Sequence, residues 1–239
     1  MTQESFRELL LAGLDKSAKL RARIVEDPSF GERRAQLRAW QAARLARTHR
    51  DLLESRRFRE AAKFFLVDLY GPKDLGGRIE EVRRIVPVML SVLPDAGLAT
   101  VVHAIELNAL SESLDGAMVE RLGGRAPEIT DALYGEAYRA VGRADDRDRQ
   151  IDLIACLGEA LDKLTHIPLI GTSLRLMRRP ARLAALGELQ AFLERGYPAF
   201  GAMRGGAADF VSIVVGRERQ ICRALFAGVD DALLRSPAE

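Results

Sequence analysis

Five residues of this 239-residue sequence have the types and spacings that metal chemistry requires. His103 and Glu106 stand one helical turn apart, and Glu159, Asp162 and His166 follow at intervals of three and four. On a helix those intervals bring side chains of successive turns to the same side. A neutral imidazole and carboxylates so placed can ligate iron, manganese or zinc. Carboxylate-bridged two-metal bundles use glutamates with Glu-x-x-His pairs on facing helices. Here the first pair runs in reverse, His before Glu, and the second reads Glu-x-x-Asp-x-x-x-His.

Each half of this constellation also has an ordinary reading, and that reading is preferred. His103 and Glu106 serve equally as a core histidine hydrogen-bonded to a carboxylate. Asp148, Asp152, Glu159, Asp162 and His166 share the face opposite Ile154, Leu157, Leu161 and Leu164, which is where solvent belongs. The reading without a cofactor therefore leads, with a transition metal as its alternative.

Two arginine groupings offer different chemistry. Arg175, Arg178, Arg179 and Arg182 surround Pro180 beside Leu174, Leu176 and Met177, a basic amphipathic pattern that can hold phosphates or rest on an anionic membrane. Asp68, on an apolar stretch with Phe64, Phe65 and Leu69, can pair with Arg78 or Arg84 as a structural clamp, since pairing is how buried charge is tolerated. Arg33, Arg34, Arg38, Arg44, Arg47 and Arg50 scatter around their helix and give no groove-reading stripe, which points away from nucleic acid.

The elements that must position these groups read as helices throughout. Stretches rich in Ala, Leu, Arg and Glu are divided by Asp27-Pro28, Gly71-Pro72, Leu93-Pro94, Gly123-Gly124, Gly142, Ile167-Pro168, Arg179-Pro180 and Gly205-Gly206, which leaves about ten helices. Phe210 to Val215 has strand-like composition, but its continuation into Arg217–Ile221 favours helix. In the segment 98–119, Leu98, Val101, Val102, Ile105 and Ala109 form one apolar stripe, and Leu107, Leu110, Leu114 and Met118 form another nearly opposite. A helix apolar on two sides belongs at the centre of a bundle. This reading carries His103 and Glu106 inside with it and packs the helix against 57–70 and 148–165. Gly13 interrupts the stripe Phe6, Leu9, Leu10, Leu14, so the N-terminal helix (residues 1–28) is expected at the periphery or in a dimer contact. The expected architecture is one all-α domain over residues 1–239, an irregular multi-helix bundle.

Composition narrows the function. Hydrophobic residues make up 48% and the net charge is +2, as in an ordinary globular chain. No apolar run approaches the length of a membrane span and no secretory leader opens the sequence, so a cytoplasmic protein is expected. Cys156 and Cys222 read as small buried hydrophobes. Phosphate-loop, dinucleotide-binding, nucleophile-elbow, Cys-x-x-Cys and His-Glu-x-x-His motifs do not occur in the sequence. Residues 1–90 carry 19 basic and 13 acidic side chains, whereas residues 91–174 carry 7 and 14. Either these two regions interleave their charges or a basic surface meets a polyanion.

The run Phe64-Phe65-Leu66-Val67-Asp68-Leu69-Tyr70-Gly71-Pro72-Lys73-Asp74, with Ile105–Asp115 and Leu174–Arg182, resembles a family of uncharacterised bacterial all-helical proteins from about Ala42 onward. The resemblance implies a bacterial, cytoplasmic, helical protein and lends no catalytic residues. The leading expectation is a non-catalytic interaction or regulatory module that binds a protein partner or a second copy of itself. A metal-carboxylate enzyme and an anionic-surface binder are the alternatives.

Overall fold

The computed structural model describes residues 2–66, 76–123, 128–167, 170–176, 178, 179, 187–229 and 233. Their regular structure is α-helical, with no strand among the described residues. In chain order the helices are α1 (Gln3–Glu26), α2 (Pro28–Thr48), α3 (Arg50–Glu54), α4 (Arg59–Phe64), α5 (Gly76–Val92), α6 (Asp95–Leu122), α7 (Asp131–Val141), α8 (Ala144–Thr165), α9 (Ile170–Leu176), α10 (Gly187–Gly201) and α11 (Ala207–Phe226). Several boundaries fall where local chemistry demands. The Asp27 carboxylate accepts from the Phe30 amide at 3.1 Å, and Pro28 opens α2 with its fixed backbone angle. Thr130 caps α7 by accepting from the Leu133 amide, and Gly142 ends that helix in the left-handed conformation. Pro94 takes the cap position of α6 and Asp95 opens its first turn. Phe210–Val215 lies inside helix α11.

Helix α6 is the central element. It packs against α1 and α8 above all, with α7 and α2 completing its surroundings. One stripe of α6 joins Leu10, Leu14 and Val86 through Ile105, with Val101 and Val102 beside it. The other stripe enters a larger cluster through Met118, with Phe30, Leu37, Tyr134, Tyr138, Ile151 and Cys222. The expected contact between α6 and the 57–70 segment gives way to another arrangement. α4 packs chiefly on α10 and α3, in a third cluster with Phe64, Phe65, Phe200, Met203 and Phe210. Ile154 and Val211 touch both this cluster and the larger one.

The N-terminal helix does not sit apart from the bundle. Phe6, Leu10, Leu14 and Ser17 are buried where α1 crosses α5 and α6. Gly13, which interrupts the apolar stripe in sequence, is the crossing point itself. A β-carbon there would lie 2.5 Å from Ile105 Cγ2, so only glycine permits this approach. Leu9 lies on the outside.

Between its apolar stripes α6 carries a polar seam. Asn108 donates to Ser17 of α1, and Ser111 accepts from Gln150 of α8 at 2.7 Å. Glu112 accepts from Arg34 and Asp115 from Gln41, both of α2. The basic N-terminal and acidic middle regions thus interleave. Arg23–Glu120, Arg34–Glu112 and Arg47–Asp131 each join one region to the other.

Candidate functional site

The residues singled out for metal chemistry are not gathered into one site. Among the described residues, no group of three or more His, Cys, Asp or Glu side chains could hold a metal ion. Glu106 is gripped by Arg149 of α8, whose Nε and Nη2 donate to its two oxygens at 2.8 and 2.7 Å. That hydrogen bonding, with the guanidinium charge, holds the Glu106 carboxyl below its ordinary range against a modest burial effect. His103 is half-buried and the Glu106 side chain is 39% exposed. The expectation that α6 draws both inside is therefore corrected. They lie on the arc between its apolar stripes, where Glu106 meets α8 at the surface. Asp162, in the last turn of α8, and His166, just past its end, do pair at 3.4 Å, but the His166 side chain is 63% exposed and Glu159 is exposed as well.

The other candidates fall in different surroundings. Arg178 donates to Glu194 of α10 at 2.7 Å, while Arg175 donates to the Thr172 hydroxyl and Arg179 is exposed. Asp68 and Arg182 lie outside the described residues, as does the Arg78 side chain, and Arg84 is exposed. The proposed Asp68 clamp thus falls outside what the structure describes.

A buried ionic array lies where the sequence drew no attention. Arg44 of α2 donates to both oxygens of Glu218 in α11, at 2.6 and 2.7 Å, and His49 Nε2 lies 3.1 Å from the same carboxylate. His49 is 3% exposed, at the junction of α2 and α3, and its Nδ1 has no hydrogen-bond partner. Burial alone would raise the Glu218 carboxyl. The Arg44 charge and the hydrogen bonds from His49 and Arg44 overcome it and hold the group at about 2. Beside this array Arg217 binds both oxygens of Asp51, at 2.6 and 2.8 Å. Four residues beyond Glu218, Cys222 accepts from the Tyr138 hydroxyl at 3.3 Å, and burial pushes its thiol up. Arg147 lies over the Tyr138 ring, 4.6 Å from its centroid. These contacts bolt α2, α3, α7, α8 and α11 together. A sequence signal for Glu218 does exist. It occupies a place in the buried stripe Phe210, Val214, Cys222, Leu225, where an apolar residue is the default.

An open groove of about 410 Å³ lies between α7 and the chain that follows α11. Leu133, Leu225, Val229 and Leu233 supply its apolar lining, and Asp131, Glu136 and Arg139 supply charge. Arg139 also donates to the Leu225 carbonyl at 3.3 Å, tying α7 to the end of α11. On the other side, Asp131 accepts from Arg47. A lining that mixes apolar and charged side chains suits a bound polypeptide.

A family model described as Domain of unknown function (DUF8198) matches residues 20–232. No curated protein and no solved structure matches the chain.

Proposed function

The chain belongs to that Domain of unknown function (DUF8198) family, and from this premise we propose that it is a non-catalytic interaction module of the bacterial cytoplasm. Its partner would be a protein that docks apolar side chains in the groove between α7 and the end of α11. The observation that carries this reading is the groove itself, lined by Leu133, Leu225, Val229 and Leu233 together with Asp131, Glu136 and Arg139. The use of the ionisable groups elsewhere supports it. Glu106 is spent on Arg149 and Glu218 on Arg44 and His49, so the carboxylates fasten helices to one another. Carboxyls held below their ordinary range stay ionised near neutral pH, whereas a general acid needs a raised value. Among the described residues no helix is long and apolar enough to cross a membrane.

The test places a photoreactive side chain at Glu136, on the exposed wall of the groove, and a control at Arg21 on the exposed surface of α1. Irradiation in the native host should give one discrete protein adduct from position 136 and none from position 21. Leu133→Asp should abolish that adduct. An absence of adduct at 136, or an adduct indifferent to Leu133→Asp, overturns the reading. So does stoichiometric metal in protein purified without an affinity tag, if that metal supports turnover.

A further inference from the structure

We propose that the end of α9 rests on an anionic lipid surface, a second contact independent of the groove. Leu176, the last residue of α9, is 74% exposed, a degree of exposure that only Val25 matches among the described large apolar side chains. Ile167, just ahead of α9, is 48% exposed. Two basic side chains accompany them: Arg175 and Arg179 are exposed, and among the described residues no carboxylate pairs with either.

The packing of α9 explains why Leu176 faces outward. The helix is seated on α10. A β-carbon on Gly171 would lie 2.9 Å from the Tyr197 ring, so Gly171 marks the side turned to α10. Leu176 comes five residues later, about 140° around the helix, and points away from that contact. Arg178, two residues beyond α9, donates to Glu194 of α10 at 2.7 and 2.8 Å. An element so anchored presents an apolar side chain flanked by cations.

Charge and polarity select the occupant. An exposed leucine gains nothing from a soluble anion, and exposed arginines gain little from a neutral apolar surface. A bilayer bearing anionic headgroups satisfies both, because the leucine enters the acyl boundary while the guanidinium groups meet phosphates and carboxylates. The contact is peripheral and reversible, with one apolar side chain and two charges behind it.

The test is co-sedimentation of the full chain with phosphatidylcholine vesicles, with and without phosphatidylserine. Binding should require phosphatidylserine and weaken as salt is raised. Replacing Arg175 and Arg179 together with glutamine should lower the partition coefficient about 30-fold, roughly fivefold for each charge. Leu176→Ser should lower it about tenfold with the charges intact. Circular dichroism checks that both variants stay folded, as their exposure leads one to expect. A failure to sediment with phosphatidylserine vesicles overturns the proposal. Equal binding by Leu176→Ser also overturns it, since that result describes a site for soluble polyanions. Soluble polyphosphate that displaces the vesicles only at high concentration supports the lipid, whereas binding to polyphosphate as tight as to vesicles counts against it. Because none of these residues lines the groove, loss of the Glu136 adduct leaves this proposal standing, and the reverse holds.

Discussion

Arg44 and Glu218, 174 positions apart, meet through two hydrogen bonds of 2.6 and 2.7 Å inside the bundle. The Glu218 carboxyl falls from an ordinary 4.5 to about 2 in the folded chain. A depressed carboxyl contributes stability that is fully present above its unfolded value and is lost as pH falls toward the folded one. The window here runs from about 4.5 down to about 2, and the shift corresponds to about 3 kcal/mol. Urea unfolding of wild type and Glu218→Gln should differ by about 3 kcal/mol at pH 7, since the variant leaves Arg44 facing a neutral amide. The gap should narrow steadily below pH 4.5. A gap that ignores pH would show that the charge of Glu218 does not stabilise the fold.

A glycine pair tests the helix crossings. Gly13→Ala pushes a methyl group against Ile105, and overpacking of that kind costs about 1–3 kcal/mol. Gly216→Ala, at an exposed position of α11 with nothing within 4 Å of the new carbon, should instead stabilise by up to about 1 kcal/mol through helix propensity. In an Ile105→Ala background Gly13→Ala should lose most of its cost, a non-additivity visible in a double-mutant cycle. Thermal melts with the same sign at both glycines would contradict the crossing geometry.

Ion pairs of equal formal charge should differ greatly in worth. Arg34–Glu112 is buried, with side chains 7% and 11% exposed, whereas Arg149–Glu106 is half in solvent. Glu112→Gln should therefore cost about 3–5 kcal/mol and Glu106→Gln under about 1 kcal/mol. Chemical denaturation of the two variants decides it, and equal losses would refute the difference in burial.

The two thiols should be distinguishable. Cys156 is exposed, while Cys222 is buried with its thiol pushed up by burial. Titration of the native chain with a disulfide reagent should label one thiol promptly and the second only on unfolding. Cys156→Ser should remove the fast phase, and a fast phase that survives this change would place Cys222 within reach of solvent. Both thiols were expected to be buried from their helical context, and Cys156 corrects that for one of them.

The helical class and the central place of α6 were legible because both rest on periodicity. Two opposed apolar stripes can be satisfied only by packing on both sides, and α1 and α8 supply it. The interleaving of charge was legible as one of two outcomes, and Arg34–Glu112 with Arg23–Glu120 is how it is realised. Gly13 was misread because local propensity counts glycine as a break, while the crossing values it for lacking a side chain. The metal constellation failed to assemble for a related reason. Spacing puts Glu106 on an accessible arc of α6, but it is Arg149 of the neighbouring helix that fills that arc.

What the amino-acid order determined alone is what acts within a few residues: which segments turn into helices, where Asp27 and Thr130 start them, where Gly142 ends one, and which faces are apolar. What only tertiary structure decided is which faces meet. Glu218 could be recognised as a charge in an apolar stripe, yet nothing near it in the chain names Arg44 and His49 as its partners. Those partners come from helices over 160 residues away, and they are chosen by the one packing that lets a buried carboxylate keep its charge.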